Sequence, residues 1–194
     1  MSEQVTILRG LTVEEFLAFT DLRPDHERWE LIEGEPVLQA SPTSAHQMIV
    51  TNLGGILRNI RIETKAYWIA YAGVGTRVPS SPGSLPTPDL MIVAANVAPD
   101  SPVADQAIVL FEVLSKSNSR ADQKWRHKVY TSTIGLEHYV TIDARKVEIV
   151  RHDREDDWVP VPITRENLVF DLPAINVAIP LAEIYRWTPL WPNP

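Results

Sequence analysis

A carboxylate sits inside one of the two continuous apolar runs of this chain, Val109-Leu110-Phe111-Glu112-Val113-Leu114, and no other feature restricts the fold so tightly. An apolar run without alternation, here Ala107 to Leu114, suits a central strand covered on both faces. Leaving an unpaired charge buried there costs on the order of several kcal/mol. Glu112 therefore needs a cation partner, a metal, or solvent at the strand end. The second run, Leu90 to Ala95, ends at Asn96 and follows directly on Pro88-Asp89. The stretch between the runs is long enough for a loop joining neighbouring strands. Two carboxylates, Asp89 and Glu112, converging at strand ends would make an oxygen-rich site suited to Mg²⁺ or Mn²⁺. The plainer alternative has Asp89 capping a turn and Glu112 pairing with an arginine.

The flanking sequence supplies further elements. Thr12-Val13-Glu14-Glu15 reads as a capping box, and Val13, Phe16, Leu17 and Phe19 predict a helix over 12–21, closed by Arg23-Pro24-Asp25. Trp29–Ile32 and Pro36–Ala40 flank Glu33-Gly34 and predict a hairpin. Ser44 with Gln47 opens a second capping box. Ile49, Val50, Leu53, Ile56, Leu57 and Ile60 then predict a helix over 45–64. Gly54-Gly55 inside it costs roughly 1 kcal/mol per residue relative to alanine and marks a close helix contact. Ala66–Ala72 and Val74–Val78 read as strands, and Pro79–Pro88 as a loop. Ser119–Thr133 reads as a helix with Trp125, Val129 and Ile134 on one side. His138–Asp143 and Val147–His152 read as strands around an Ala144-Arg145 turn. The tail carries a strand over 174–179, a helix from Pro180 through Arg186, and an extended segment from Trp187. This order predicts an α/β fold, a mixed central sheet flanked by helices, with an N-terminal helix and β-hairpin, in one domain over 1–194.

Composition removes several chemistries. The 194 residues include no cysteine, which excludes disulfides, thiolate zinc sites and cysteine nucleophiles and fits a reducing, cytoplasmic compartment. Met1 to Gly10 lacks the basic start and apolar core of a signal peptide, and no apolar run approaches the ~18 residues of a membrane span. There is no glycine-rich phosphate loop, no histidine pair at metal-binding helical spacing and no nucleophile-elbow sequence around Ser115 and Ser117. The net charge is −7, and acidic chains are seldom non-specific nucleic-acid binders unless a local basic patch exists.

The helix after Glu112 carries Arg120, Lys124, Arg126, His127 and Lys128. Lying beside the strand ends, it could bring a cation to the developing charge of a phosphoryl transition state. A solvated helix face is the plainer reading of such a run. His46 could bond a carboxylate or simply be structural. Glu30, in Trp29-Glu30-Leu31-Ile32, could be a third acidic member of the site or a surface residue.

Taken together, Trp29-Glu30-Leu31-Ile32-Glu33-Gly34-Glu35, Ser41-Pro42-Thr43 with His46, Pro88-Asp89, Glu112-Val113-Leu114-Ser115, Asp122, Tyr130 and Glu137-His138-Tyr139-Val140 give a pattern. In order and spacing it resembles the Uma-type restriction endonucleases, a bacterial family with a PD-(D/E)xK nuclease fold. The resemblance covers about residues 11–187. It implies a mixed sheet with flanking helices, and Asp89 and Glu112 as ligands of a divalent metal. Nucleases of this fold usually place a lysine two positions after the second acid, where this chain has Leu114. Members of the family carry that lysine on the next helix, between the residues matching Asp122 and Tyr130. Arg126 stands at that place, with Lys124 and Lys128 two residues to either side. An arginine keeps its charge but, with a pKa above ~12, is a poor general base.

Three functional expectations follow. The first is a Mg²⁺- or Mn²⁺-dependent endonuclease acting on DNA. In it Asp89 and Glu112 bind metal, Arg126 or a neighbouring lysine stabilises charge, and Glu30 and His46 support the site or add ligands. The second is a catalytically degenerate nuclease fold serving as a binding or dimerisation module. A small-molecule hydrolase using the same acids is a third, marked by a narrow, closed pocket. A homodimer is expected, because nucleases of this fold often act in pairs. The segment Trp187-Thr188-Pro189-Leu190-Trp191 would supply an interface or complete the core.

Overall fold

The computed structural model describes residues 9–24, 26–95, 101 and 103–191. Asp25 as a helix terminator, Asn96 as a strand boundary, and most of the segment read for a signal peptide lie outside the described residues. In chain order come α1 (Val13–Thr20), β1 (Trp29–Ile32), β2 (Glu35–Leu38), α2 (Ser44–Thr64), β3 (Trp68–Tyr71), β4 (Leu90–Ala94) and β5 (Ala107–Leu114). They are followed by α3 (Arg120–Tyr130), β6 (His138–Asp143), β7 (Glu148–Asp153), β8 (Pro160–Thr164), β9 (Val169–Leu172), β10 (Val177–Pro180) and α4 (Leu181–Tyr185).

Six strands form one mixed sheet in the order β3-β4-β5-β6-β7-β8. Every pair in it is antiparallel except β5 with β6, which the α3 crossover joins in parallel. The two apolar runs are β4 and β5, adjacent and inside the sheet. Their side chains divide between two cores. Leu90, Ile92, Val109, Phe111 and Val113 pack with Ile49, Leu53 and Leu57 of α2 and with Ile184 and Tyr185 of α4. Met91, Val93, Ala107 and Leu110 face Val129 and Tyr130 of α3. A third cluster seats α1 on the β1–β2 hairpin through Val13, Phe16, Leu31 and Leu85. No helix among the described residues is long and apolar enough to cross a membrane.

The ends of the elements follow local chemistry. Thr12 and Glu15 cap α1 reciprocally, with Glu15 N–H donating to Thr12 Oγ1 at 3.2 Å and Thr12 N–H to Glu15 Oε2 at 2.8 Å. The cap of α2 is Thr43, whose Oγ1 accepts from His46 N–H, one residue earlier than the Ser44 box predicts. Ser119 caps α3 through Asp122 N–H. Glu33 and Gly34 both have positive φ, 50° and 82°, as a tight two-residue hairpin turn demands. A Cβ on Gly34 would lie 2.9 Å from Gly10 Cα.

Some predicted elements differ. Val74–Val78 is no strand: it offers a single bridge, Gly75 to Val103, beyond the short edge strand β3. The predicted 174–179 strand begins later, at Val177, after a 3₁₀ turn over Pro173–Ile175. Ile134 lies beyond α3 and is exposed, while Arg126 and Tyr130 join Val129 on its buried face. Gly54 would place a Cβ in ordinary contact with Leu90, 3.6 Å away, and Gly55 has open space beside it. The close helix contact predicted there does not occur.

Candidate active site

Continuing the antiparallel register of β4 and β5, in which Leu90 faces Phe111, sets Asp89 opposite Glu112. Alternation puts both on the α3 side of the sheet, because Met91 and Leu110 face that core and lie two residues away. The two acids foreseen at strand ends are therefore cross-strand neighbours on one face, within about 5 Å in the backbone.

Both are held by named partners. Asp89 Oδ2 accepts from the Val113 backbone N–H at 2.8 Å and meets His46 Nε2 at 3.1 Å. His46 Nδ1 is buried and unpartnered. An imidazole that donates its Nε2–H to Asp89 leaves only an acceptor there unsatisfied, so we assign that tautomer. Glu112 Oε1 accepts from Tyr130 Oη at 2.8 Å and from Arg126 Nη1 at 3.1 Å. Asp89 Oδ1 and Glu112 Oε2 have no hydrogen-bond partner among the described residues, and neither is sealed from solvent. Both residues line a cavity of about 420 Å³, together with Glu30, Asp122, Arg126, Arg28 and the inner face of the hairpin.

Arg126 ties the acidic residues together. Its Nη2 meets Glu30 Oε2 at 2.5 Å, its Nη1 meets Glu30 Oε1 at 3.3 Å, and its Nε meets Asp122 Oδ1 at 3.1 Å. Nη1 also donates to Tyr130 Oη at 3.1 Å. Glu30 Oε1 accepts the Thr87 backbone N–H as well, so both oxygens of Glu30 are engaged. On α3, Asp122, Arg126 and Tyr130 follow at i, i+4 and i+8, which stacks them on one face. Lys124 and Lys128 are exposed and do not line this cavity. The structure thus brings together Asp89, Glu112, Glu30, His46 and Arg126 and leaves the two lysines out. Sequence reasoning gave no chemical part to Asp122 or Tyr130, whose signal was their four-residue spacing from Arg126. It also missed the Val113 N–H that orients Asp89.

Electrostatics follow the burial. Desolvation raises the Glu112 pKa to about 8; the Arg126 charge opposes this, and the nearby Asp89 and Glu30 add to it. Burial works against the Arg126 charge, but Glu112, Tyr130 and Glu30 outweigh it and raise its pKa above the ordinary arginine value. Tyr130 is pushed well up by burial and by Glu112, so its hydroxyl stays a donor. Among the described residues no group of three or more His, Asp or Glu side chains is arranged to hold a metal. Two carboxylate oxygens on a cavity still fit Mg²⁺ or Mn²⁺, hard cations that keep several waters and complete their shell from a phosphate. They suit zinc less, whose sites are built mainly on histidine nitrogen and cysteine sulfur.

The comparisons bear on the family and the fold. The sequence model of the Uma2 family, described as "Putative restriction endonuclease", matches residues 13–182. The crystal structure of a putative nuclease belonging to DUF820 from Anabaena variabilis superposes with a TM-score of 0.74 at 13% identity, covering 91% of this chain and 98% of that one. That likeness shows the fold. Among curated proteins none matches.

Proposed function

The chain belongs to the Uma2 family of putative restriction endonucleases, and on that premise we propose that it hydrolyses DNA phosphodiester bonds as a divalent-metal-dependent endonuclease. One observation carries the proposal: two cross-strand carboxylates, each held by its own partners, each keep one unbonded oxygen open to the same cavity. Asp89 and Glu112 would hold the metal. Bound there, it supplies Lewis-acid polarisation of a phosphoryl oxygen and acidifies water. His46 and the Val113 N–H aim Asp89, and Tyr130 and Arg126 aim Glu112, so the donor oxygens need no reorganisation on binding. Arg126 also sets a positive charge beside the cavity, where charge develops on the phosphate. Nearly all of its N–H groups are engaged by Glu30, Glu112, Tyr130 and Asp122, so it acts mainly by holding the acids in place. Glu30 anchors Arg126. Lys124 and Lys128 have no part at this cavity. We propose further that the protein acts as a homodimer in the cytoplasm, the exposed Trp187 contributing to the interface.

The same engagement of Arg126 favours a second reading, a degenerate nuclease fold kept as a binding module, because no lysine stands ready as a base. Cleavage decides between them. Supercoiled plasmid, single-stranded DNA and RNA are incubated with Mg²⁺ or Mn²⁺ and wild type, Asp89→Asn or Glu112→Gln. Nicking of DNA by wild type, lost by on the order of 100-fold or more in both variants, is expected. Wild-type silence on every substrate, with the fold intact, removes the endonuclease and leaves the module.

A further inference from the structure

Across α3 from the acidic cavity lies a second, chemically opposite cleft. Its volume is about 590 Å³, and its walls carry Arg120, Lys124, Arg145, Lys146, His127 and His152. Asp122 and Arg126 face the acidic cavity, whereas Lys124 and His127 face this one, so one helix of about 10 Å width separates the two. Leu114, two residues past Glu112 on β5, lies in its wall, so the cleft begins where the carboxylates end.

On a chain of net charge −7, this cleft is positive. The two acids in it are already committed, Asp143 to Arg145 at 2.6 Å and Glu148 to Lys146 at 2.7 Å. Arg120 and Lys124 have no ion-pair partner among the described residues, and both are exposed. The floor is aromatic. His127 and His152 stand edge to face with centroids 4.6 Å apart, and Tyr139 lies beneath, 5.8 Å from His127 and stacked on His152 at 5.7 Å. His152 Nδ1 meets the Trp158 carbonyl at 3.0 Å, which fixes that ring in place. Burial and the neighbouring His152 lower the pKa of His127, so it presents a neutral ring at pH 7.

Unbalanced cations beside fixed aromatic rings are the combination that receives an unpaired nucleotide, the phosphate on the cations and the base on the rings. A duplex offers phosphates but keeps its bases stacked inside. We propose that this cleft is a single-strand subsite, in which Arg120 and Lys124 each take a backbone phosphate and the His127–His152 pair takes an unstacked base on the far side of α3 from the phosphate at Asp89 and Glu112. This rests on the nuclease reading and narrows it to DNA that is single-stranded or splayed beside the scissile bond. It also gives Lys124 a place, since it lies away from the acid pair.

Binding without cleavage tests it. Fluorescence anisotropy with a labelled oligothymidine of 15 nucleotides, and with a duplex of equal length, is measured in EDTA across a salt series on the full chain. Wild type binds the single strand more tightly than the duplex. Arg120→Ala/Lys124→Ala weakens single-strand binding at least about tenfold and lowers the salt slope by about 1.4, roughly 0.7 for each lost phosphate contact. His127→Ala weakens it by on the order of tenfold, and His127→Phe, which keeps a ring, restores it. The proposal is overturned if wild type fails to bind the single strand, if it prefers the duplex, or if the double variant binds like wild type. Single-strand binding that responds to these variants in a protein that cuts nothing would remove the catalytic reading and leave the subsite standing. Cleavage by wild type with binding indifferent to the variants would do the reverse.

Discussion

Arg126→Ala is the perturbation with the largest effect that the site allows. Wild-type Arg126 is 5% exposed and is shared by Glu30, Glu112 and Asp122, of which Glu30 and Glu112 are themselves 3% and 5% exposed. Removing it strands two buried carboxylates that now face each other across a hole. Breaking a buried pair by deleting one partner costs about 3–5 kcal/mol. For a chain of this length each kcal/mol moves the Tm by about 2–4 °C, so a loss of about 6–20 °C is expected at pH 8. The sign with pH follows from Glu112, whose folded pKa is raised to about 8 from 4.5. A group of this kind favours the folded state when protonated, and that support is lost as pH rises through the folded value. At pH 5.5, well below that value, Glu112 is protonated, one charge fewer is stranded, and the loss shrinks. Differential scanning calorimetry of wild type and variant at pH 5.5 and pH 8 reads both quantities. Arg126→Ala/Glu30→Gln, with one charge fewer, recovers part of the loss at pH 8. A shift under about 2 °C at pH 8, or a larger one at pH 5.5, would refute the idea that Arg126 clamps buried charge.

Three further outcomes are expected. Isothermal calorimetry should show Mn²⁺ binding wild type with proton release, weakening by roughly tenfold for each pH unit below about 8, and failing with Asp89→Ala; equal binding by both proteins would exclude the site. His46→Ala frees one side of Asp89 while the Val113 N–H remains, so Mn²⁺ affinity should fall about 10- to 100-fold with a native circular-dichroism spectrum. Gly34→Ala forces a Cβ against Gly10 at a φ of +82° and should lower stability by about 1–3 kcal/mol, read by urea melts.

What could be read before folding, and what could not, divides along the range of the interactions. The strands β4 and β5, with their acids, were legible because their apolar runs allow no other burial. Helix α2 was legible because six apolar positions keep one face. Strand β8 was missed because Pro160 and Pro162 break the pattern, and it forms only as an edge strand, paired to β7 alone, where prolines are tolerated. Strand β9, of four residues, is too short to announce itself. The tail read both as interface and as core is divided: Trp187 is exposed, whereas Leu190 and Trp191 pack against the main core. In the site, the acid pair follows from neighbouring strands. The Arg126–Glu30 contact spans 96 positions and depends on how the hairpin docks against α3, which no local pattern encodes. The inward face of α3 was misassigned for the same reason, since a buried arginine satisfied by distant acids looks in sequence like a solvated one.

A crystal soaked in Mn²⁺ and measured at the manganese edge tests the central claim most directly. The account predicts one anomalous peak in the cavity beside the Asp89 and Glu112 carboxylates, present at pH 8 and lost in Asp89→Asn. An ordered cavity without such a peak at pH 8, or a peak whose ligands exclude both carboxylates, would contradict it.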